Sequence, residues 1–397
     1  MENRAVVLAF SGGLDTSFCI PYLKNERGLE VHTITVNSGG FSANEEKELE
    51  NRALALGATS HRTVNVVEEF YQKGIKYLLF GNILKNGTYP LSVSSERVFQ
   101  ALKVLEFVKE IDAPYVAHGS TGAGNDQIRF DIIFEIMSPQ TKIIAPIREL
   151  SLSRKEEIEY LKKCGVELSW ESAKYSINKG IWGTSVGGAE TLNSWGVLPQ
   201  EAFPSQVVES GSRRVKIQFT QGEPTALDGV EDTPLKIIEQ LNEIGSKYGV
   251  GRGMHTGDTI IGMKGRLGFE APAATVLIKA HHLLEKHVLT KKQLYWKEQL
   301  ANQYGELMHE AQYLEPVMRD IEGFLQDTQR NVTGWVEVEL SPYRFEVLAS
   351  SSPYDLMNSK FGEYGETNSS LTGQDVAGFT KVLANPLKIY YAINKND

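Results

Sequence analysis

"VVLAFSGGLDTSFCI", residues 6–20, runs as an apolar strand, breaks at two glycines and resumes with helical character. A strand, a glycine turn and a helix N-terminus together make an anion site. Unpaired backbone N–H groups point outward there, and the helix dipole favours negative charge. Gly12 and Gly13 allow positive φ and a close approach of the anion with no Cβ in the way. Ser11, Thr16 and Ser17 add hydroxyl donors. The spacing is not GxxxxGK[ST], because no Lys follows, and it is not GxGxxG. Neither the γ-phosphate grip of a Walker A loop nor a dinucleotide fingerprint is supported.

Outward from this loop, strand-like and helix-like segments alternate over the first 150 residues. The runs 5–10, 30–37, 61–66, 114–120 and 141–147 are β-rich. Helical patterns cover 16–24, 44–56 and 95–111, and in the last of these Val98, Leu102, Leu105 and Val108 recur at helical spacing. This alternation predicts an α/β domain with a parallel sheet covered on both faces. A further helix opens with the capping box Ser153…Glu156 and stops at Gly165. Beyond residue 168 a Gly-, Ser-, Trp- and Asn-rich stretch shows no clean period, as functional irregular segments often do. "RRVKIQFTQGEPTAL" (213–227) then reads as a hairpin, and Thr233 and Pro234 open a helix that ends at Gly245. Pro272 opens another, and 290–327 is helical from the Thr290…Gln293 box, with Pro316 kinking or splitting it. "WVEVEL" and "RFEVLA" form one more strand pair, and a short tail ends the chain. The expected organisation is 1–168, 169–375 with an α+β character, and a tail over 376–397.

The 397 residues suffice for two or three domains. With 50 acidic and 41 basic side chains the net charge is −9, and no long Lys or Arg run occurs. That balance argues against a nucleic-acid or anionic-membrane partner. The only cysteines, Cys19 and Cys164, are far apart and in no metal spacing, which fits a reducing compartment. The N-terminus lacks the features of a signal peptide, and no stretch approaches 18 apolar residues. A cytoplasmic location is the resulting expectation. "HEAQY" at 309 is not HExxH, so a zinc reading fails.

A second loop repeats the architecture. In "YVAHGSTGAGNDQIRFD" (115–131) an apolar strand leads into Gly119, Gly122 and Gly124, with Asn125, Asp126 and Arg129 just behind. A carboxylate, a carboxamide and a guanidinium so close together suit a zwitterionic amino acid, the first pairing with an ammonium and the last with a carboxylate or carbonyl.

The string Ser11–Ser17 resembles the SGGxD[ST]S loop of the PP-loop ATP pyrophosphatases, whose fold is adenine nucleotide alpha hydrolase-like. With the second loop, and with 86–97, 175–185, 261–272 and 309–322, the chain closely resembles the argininosuccinate synthase family over nearly its whole length. The resemblance implies an ATP-dependent ligase that condenses citrulline with aspartate through a citrulline-adenylate, releasing AMP and pyrophosphate. It implies ATP and Mg²⁺, a helical C-terminal region that builds a homotetramer, and three catalytic residues, Asp15, Ser17 and Asp126. ATP would be held by Ala9, Phe10, Ser11, Gly12, Gly13, Leu14, Asp15, Thr16, Ser17, Val36 and Gly119, with Asp15 on the metal. Aspartate would be held by Thr121, Asn125 and Asp126, and citrulline by Tyr89, Ser94, Asn125, Arg129, Ser176 and Ser185.

The chain also departs from the family's pattern. The loop lysine is Ala123, "NSGGF" (37–41) replaces a Gly-Gln pair near Val36, the citrulline-binding Glu is Gly257, and its partner Tyr is Phe269. Asp258 is the first choice to receive citrulline's ammonium, ahead of His255 and Glu270. His255 reads otherwise as a structural histidine. A tRNA thiolase would call for paired cysteines and a basic face, an amidotransferase for a nucleophilic Cys, and a nucleotide sensor has no need of the cluster behind the second loop.

Overall fold

The computed structural model describes residues 3–122, 124–166, 174–358 and 370–394. Ala123, the site of the missing loop lysine, and residues 169–173 therefore lie outside the described residues. Strands β1 (Ala5–Ala9), β2 (Glu30–Asn37), β3 (Ser60–Asn65), β4 (Tyr115–His118) and β5 (Lys142–Ile144) form a sheet in the order β3-β2-β1-β4-β5. Every pairing in it is parallel, with Val6 facing Val31 on one side and Tyr115 on the other. Consecutive Val6, Val7 and Leu8 are all buried, because a strand at the centre of a parallel sheet is covered on both faces.

Helices α1 (Leu14–Asn25), α2 (Ala43–Ala55), α3 (Ser92–Glu110), α4 (Asp126–Met137) and α5 (Arg154–Lys163) provide that cover. Val6 and Leu8 pack with Phe18, Leu23, Leu49 and Leu161 of α1, α2 and α5. Val7 and Val116 pack on the opposite face with Val98, Leu105 and Phe134 of α3 and α4. The α/β parallel-sheet domain expected from the alternation is thus present, with element ends shifted by one to three residues. A helical run from Val67 to Phe80, containing a π-helical turn at Tyr71–Ile75, was not expected.

The remainder is α+β. β6 (Ser176–Gly180), β7 (Gly183–Gly187), β8 (Arg213–Thr220), β9 (Glu223–Leu227), β10 (Val230–Glu231), β11 (Arg252–Asp258), β12 (Lys264–Glu270), β13 (Gly334–Ser341) and β14 (Arg344–Ser351) make two antiparallel sheets. Their orders are β11-β12-β7-β6 and β10-β9-β8-β13-β14. Helices α6 (Pro234–Lys247), α7 (Pro272–Val288), α8 (Lys291–His309) and α9 (Pro316–Thr328) accompany them, with α7 packed on β13 and β14. Pro316 separates α8 from α9, and Ser153, Thr233 and Thr290 all cap as expected.

One reading needs correction. The irregular stretch after 174 contains the β6–β7 hairpin, whose glycines and polar residues mask its alternation. The C-terminal region is helical, as the resemblance implied: α10 (Gly373–Ile393) is closed at its start by a Thr372…Asp375 capping box.

The β6–β7 hairpin joins the parallel-sheet domain at a tight seam. Ile181 N donates to Ser38 O at 2.9 Å, and buried Trp182 donates Nε1–H to Pro90 O at 3.0 Å. Gly39 has φ +93°, and a Cβ there would lie 2.7 Å from Ile181 Cβ. Positive φ and a backbone contact together leave no room for another residue. Gly39→Ala should cost about 2–4 kcal/mol of stability, read as a lower denaturant midpoint. Gly378→Ala, in open space within α10, should not lower that midpoint.

Candidate active site

The first loop is organised from within. Ser11 and Thr16 share a 3.2 Å hydroxyl contact, Thr16 Oγ1 donates to Gly13 O, and Gly13 N–H donates to Ser11 Oγ. Gly13 stands at the N-cap of α1, where no side chain caps the helix, so its first amides face the loop. Gly12 has φ +74°, and a Cβ there would be 2.2 Å from Leu49 Cδ2. Arg52 of α2 donates to Gly12 O at 2.7 Å, pinning the turn from behind. The Ser17 hydroxyl is buried in the same loop and has no partner.

The second loop lies against the first. A Cβ on Gly119 would fall 2.9 Å from Thr16 Cγ2 and 3.0 Å from Thr16 N, so only glycine permits this approach. His118 fixes the loop's root. Its Nδ1 accepts from Ser120 N–H at 3.2 Å, so its Nε2 donates to Asp131 at 2.9 Å. Gln127 Nε2 reaches back to Gly122 O at 2.6 Å. Thr121 is exposed, and Val36 is buried at the C-terminal end of β2.

Behind these loops is an ionic chain whose basic members, Arg97 and Arg129, are buried and whose centre, Asp126, is half-buried. Asp126 sits between Arg97 Nε at 3.0 Å and Arg129 Nη1 at 2.8 Å. Burial pushes its carboxyl up, but the two guanidiniums outweigh that and hold it well below the usual carboxylate range. Arg129 also donates Nε–H to His309 O at 2.9 Å. Arg97 continues to Glu96 and Gln100, both at 2.9 Å, and to Asn178 of β6 at 3.2 Å. Asn125 accepts from Ile260 N–H at 2.9 Å, which ties the turn between β11 and β12 to the second loop.

Tyr89 is buried, with its hydroxyl accepting from Ser92 Oγ and Val93 N. It stacks on His255 at 5.1 Å and packs against Phe269 at 5.5 Å. Ser94 Oγ is buried without a partner. Ser176 is exposed at the start of β6, while Ser185 faces Asn178 and Phe269 across the ladder. The three candidates for the ammonium contact occupy different settings. Asp258 is exposed and paired with Lys264 at 2.7 Å. Glu270 is buried and held by Arg252 and Ser205, each at 2.7 Å. His255 is buried with Nδ1 unpartnered, and a Cβ on Gly257 would come 2.8 Å from its Nε2. Burial, then the charge of Lys85, lowers its pKa.

Four further groups border the site that motif reading passed over. Arg97 and Glu96 stand in the quoted 86–97 segment, so adjacency to Ser94 and Ser95 was an available signal. His309 opens the quoted 309–322 segment, but nothing there pointed to Arg129; Glu157 stands outside every quoted segment and carried no signal. Glu157 of α5 brings its carboxyl within hydrogen-bonding reach of Asp15. Burial, then the Asp15 charge, pushes it up.

Two family models match the chain: the arginosuccinate synthase N-terminal HUP domain over residues 5–167, and the arginosuccinate synthase C-terminal domain over 175–390. Among curated proteins, the argininosuccinate synthase of Methanocaldococcus jannaschii is 40% identical over 96% of each chain. That of Xanthomonas campestris is 37% identical over 100% of each, and that of Pyrobaculum aerophilum 35% over 92% of each.

Glu96 supplies a measurable consequence. It is 1% exposed, and burial, opposed by Arg97, raises its pKa from 4.5 to about 7. A folded value above the unfolded one contributes stability that is complete below pH 4.5 and lost as pH rises through about 7. Glu96→Gln should therefore raise stability at pH 8 by about 1–3 kcal/mol relative to its effect at pH 4.5. Thermal melts at the two pH values check this.

Proposed function

Because the chain belongs to the argininosuccinate synthase family, we propose that its two facing loops and the ionic chain behind them activate citrulline with ATP and deliver it to aspartate. The chain is an ATP-using enzyme that condenses citrulline with aspartate in arginine biosynthesis. The observation that carries the residue-level reading is the contact of Gly119 with Thr16, which brings a phosphate loop and an amino-acid cluster to one place.

Hydroxide is a poor leaving group from the ureido carbon of citrulline. Adenylation replaces it. The ureido oxygen attacks the α-phosphorus of ATP, the α–β phosphoanhydride breaks, and pyrophosphate departs into residues 9–17. Amides at the head of α1 and the hydroxyls of Ser11, Thr16 and Ser17 meet the charge growing on that leaving group. Ala9, Phe10 and Val36 line the base and ribose side, and Gly119 covers the nucleotide from the second loop. The aspartate amine then attacks the activated carbon and AMP leaves with its oxygen, giving argininosuccinate. Thr121, Asn125 and Asp126 hold aspartate, and Tyr89, Ser94, Arg129, Ser176 and Ser185 hold citrulline. His255 is better disposed than Asp258 or Glu270 to accept from citrulline's α-ammonium, because its buried Nδ1 has no partner. Proximity of amine and adenylate supplies much of the second step.

Mg²⁺ fits beside Asp15, where two carboxyl groups crowd an anion loop and one buried oxygen lacks a partner. When bound it supplies charge neutralisation for the departing pyrophosphate. Helix α10 exposes Phe379, Val382, Leu383, Leu387 and Tyr391, a surface suited to assembly of copies into a homotetramer. No helix among the described residues is long and apolar enough to cross a membrane, which accords with a cytoplasmic location.

The test is pyrophosphate release by the purified chain with ATP and Mg²⁺. Sustained release only with citrulline and aspartate together is expected, and release with neither or with one alone overturns the reading. Gly12→Ala should lower that rate at least about a hundredfold by displacing the loop donors. Removal of residues 373–397 should reduce the sedimenting species from tetramer to smaller forms.

A further inference from the structure

We propose that Glu157 is a direct ligand, alongside Asp15, of the divalent cation that travels with the nucleotide's phosphates. Glu157 lies in α5, outside every motif that defines the site, and is 2% exposed. Its carboxyl reaches that of Asp15 in the first turn of α1, and its Oε2 is buried without a hydrogen-bond partner. The two helices cannot drift apart to relieve the crowding. Phe18 packs edge-on against Tyr160 at 5.0 Å, and Tyr22 does so at 6.5 Å.

Two carboxyl groups placed together this way are held either by a shared proton or by a bound cation. Amides at the head of α1 favour an anion, yet two carboxyl groups stand beside them, with Arg154 acting on both. Cys19, one turn further along α1, is buried next to the pair and carries no positive charge. A hard cation with oxygen ligands resolves this by joining the carboxylates to phosphate oxygens. Magnesium typically uses one or two carboxylates plus substrate phosphates in such sites.

This inference rests on the reading of residues 11–17 as the pyrophosphate loop, and its test separates the two. Mn²⁺ is titrated by electron paramagnetic resonance into the full chain saturated with an α,β-methylene analogue of ATP. Glu157→Gln should weaken Mn²⁺ binding at least tenfold while changing analogue affinity in EDTA less than twofold. Unchanged Mn²⁺ affinity in Glu157→Gln overturns the assignment and leaves a pair that merely shares a proton. Should that variant not fold, Glu157→Asp decides: a threefold or greater weakening supports the assignment, and none overturns it. A wild-type chain that binds Mn²⁺ through Glu157 but releases no pyrophosphate supports the ligand assignment while overturning the functional reading.

Discussion

The adjacency of β1 and β4 is the constraint from which the site follows. In the order β3-β2-β1-β4-β5 the chain reverses direction of travel between these two strands, and the loops leaving their C-terminal ends diverge to opposite faces. A crevice opens at such a switch point in open parallel sheets. Here the crevice is narrowed until Gly119 rests on the backbone of Thr16. Phosphate donors and amino-acid donors are thereby held on neighbouring strands, with no separate mechanism needed to bring them together.

Electrostatics then divides the crevice into two halves of different character. On the β1 side, amides and hydroxyls surround a space that wants negative charge, with the Asp15–Glu157 pair at its margin. On the β4 side, Asp126 is so firmly held by Arg97 and Arg129 that it stays ionised throughout the physiological range. Arg129 is itself fixed by the His309 carbonyl, so its guanidinium is oriented before any ligand arrives. Preorganisation of this kind lets donors and charges act on a developing transition state without a reorganisation cost at the moment of reaction.

Much of this was legible in the sequence because local physics and tertiary structure agree there. The apolar runs of β1 and β2, the Ser153 and Thr290 boxes and the Pro234 helix start all specify their structure within a few residues. Three things were not. The β6–β7 and β11–β12 hairpins contain glycines and exposed polar residues, so period-2 alternation is blurred. Helix α10 carries Gly373, Gly378 and Pro386, which weaken its intrinsic propensity, so its helical character came from the family resemblance and not from local pattern. Finally, Glu157 and His309 reach the site only through packing. Nothing near them in the chain indicates that Asp15 and Arg129 will be their neighbours.

Those long-range contacts have a consequence for how the molecule comes into being. Arg129 meets the backbone of a residue 180 positions later, and Asn125 one 135 positions later. Loops of that length are entropically costly to close before other contacts hold them, and contacts so remote in sequence form late. During synthesis the parallel sheet has all five of its strands once Ile144 has emerged, but Arg129 gains its anchor only when His309 does. The amino-acid half of the crevice is therefore a property of the nearly finished chain. A truncated polypeptide can contain the whole phosphate loop and still lack a competent pocket for the substrates it would activate.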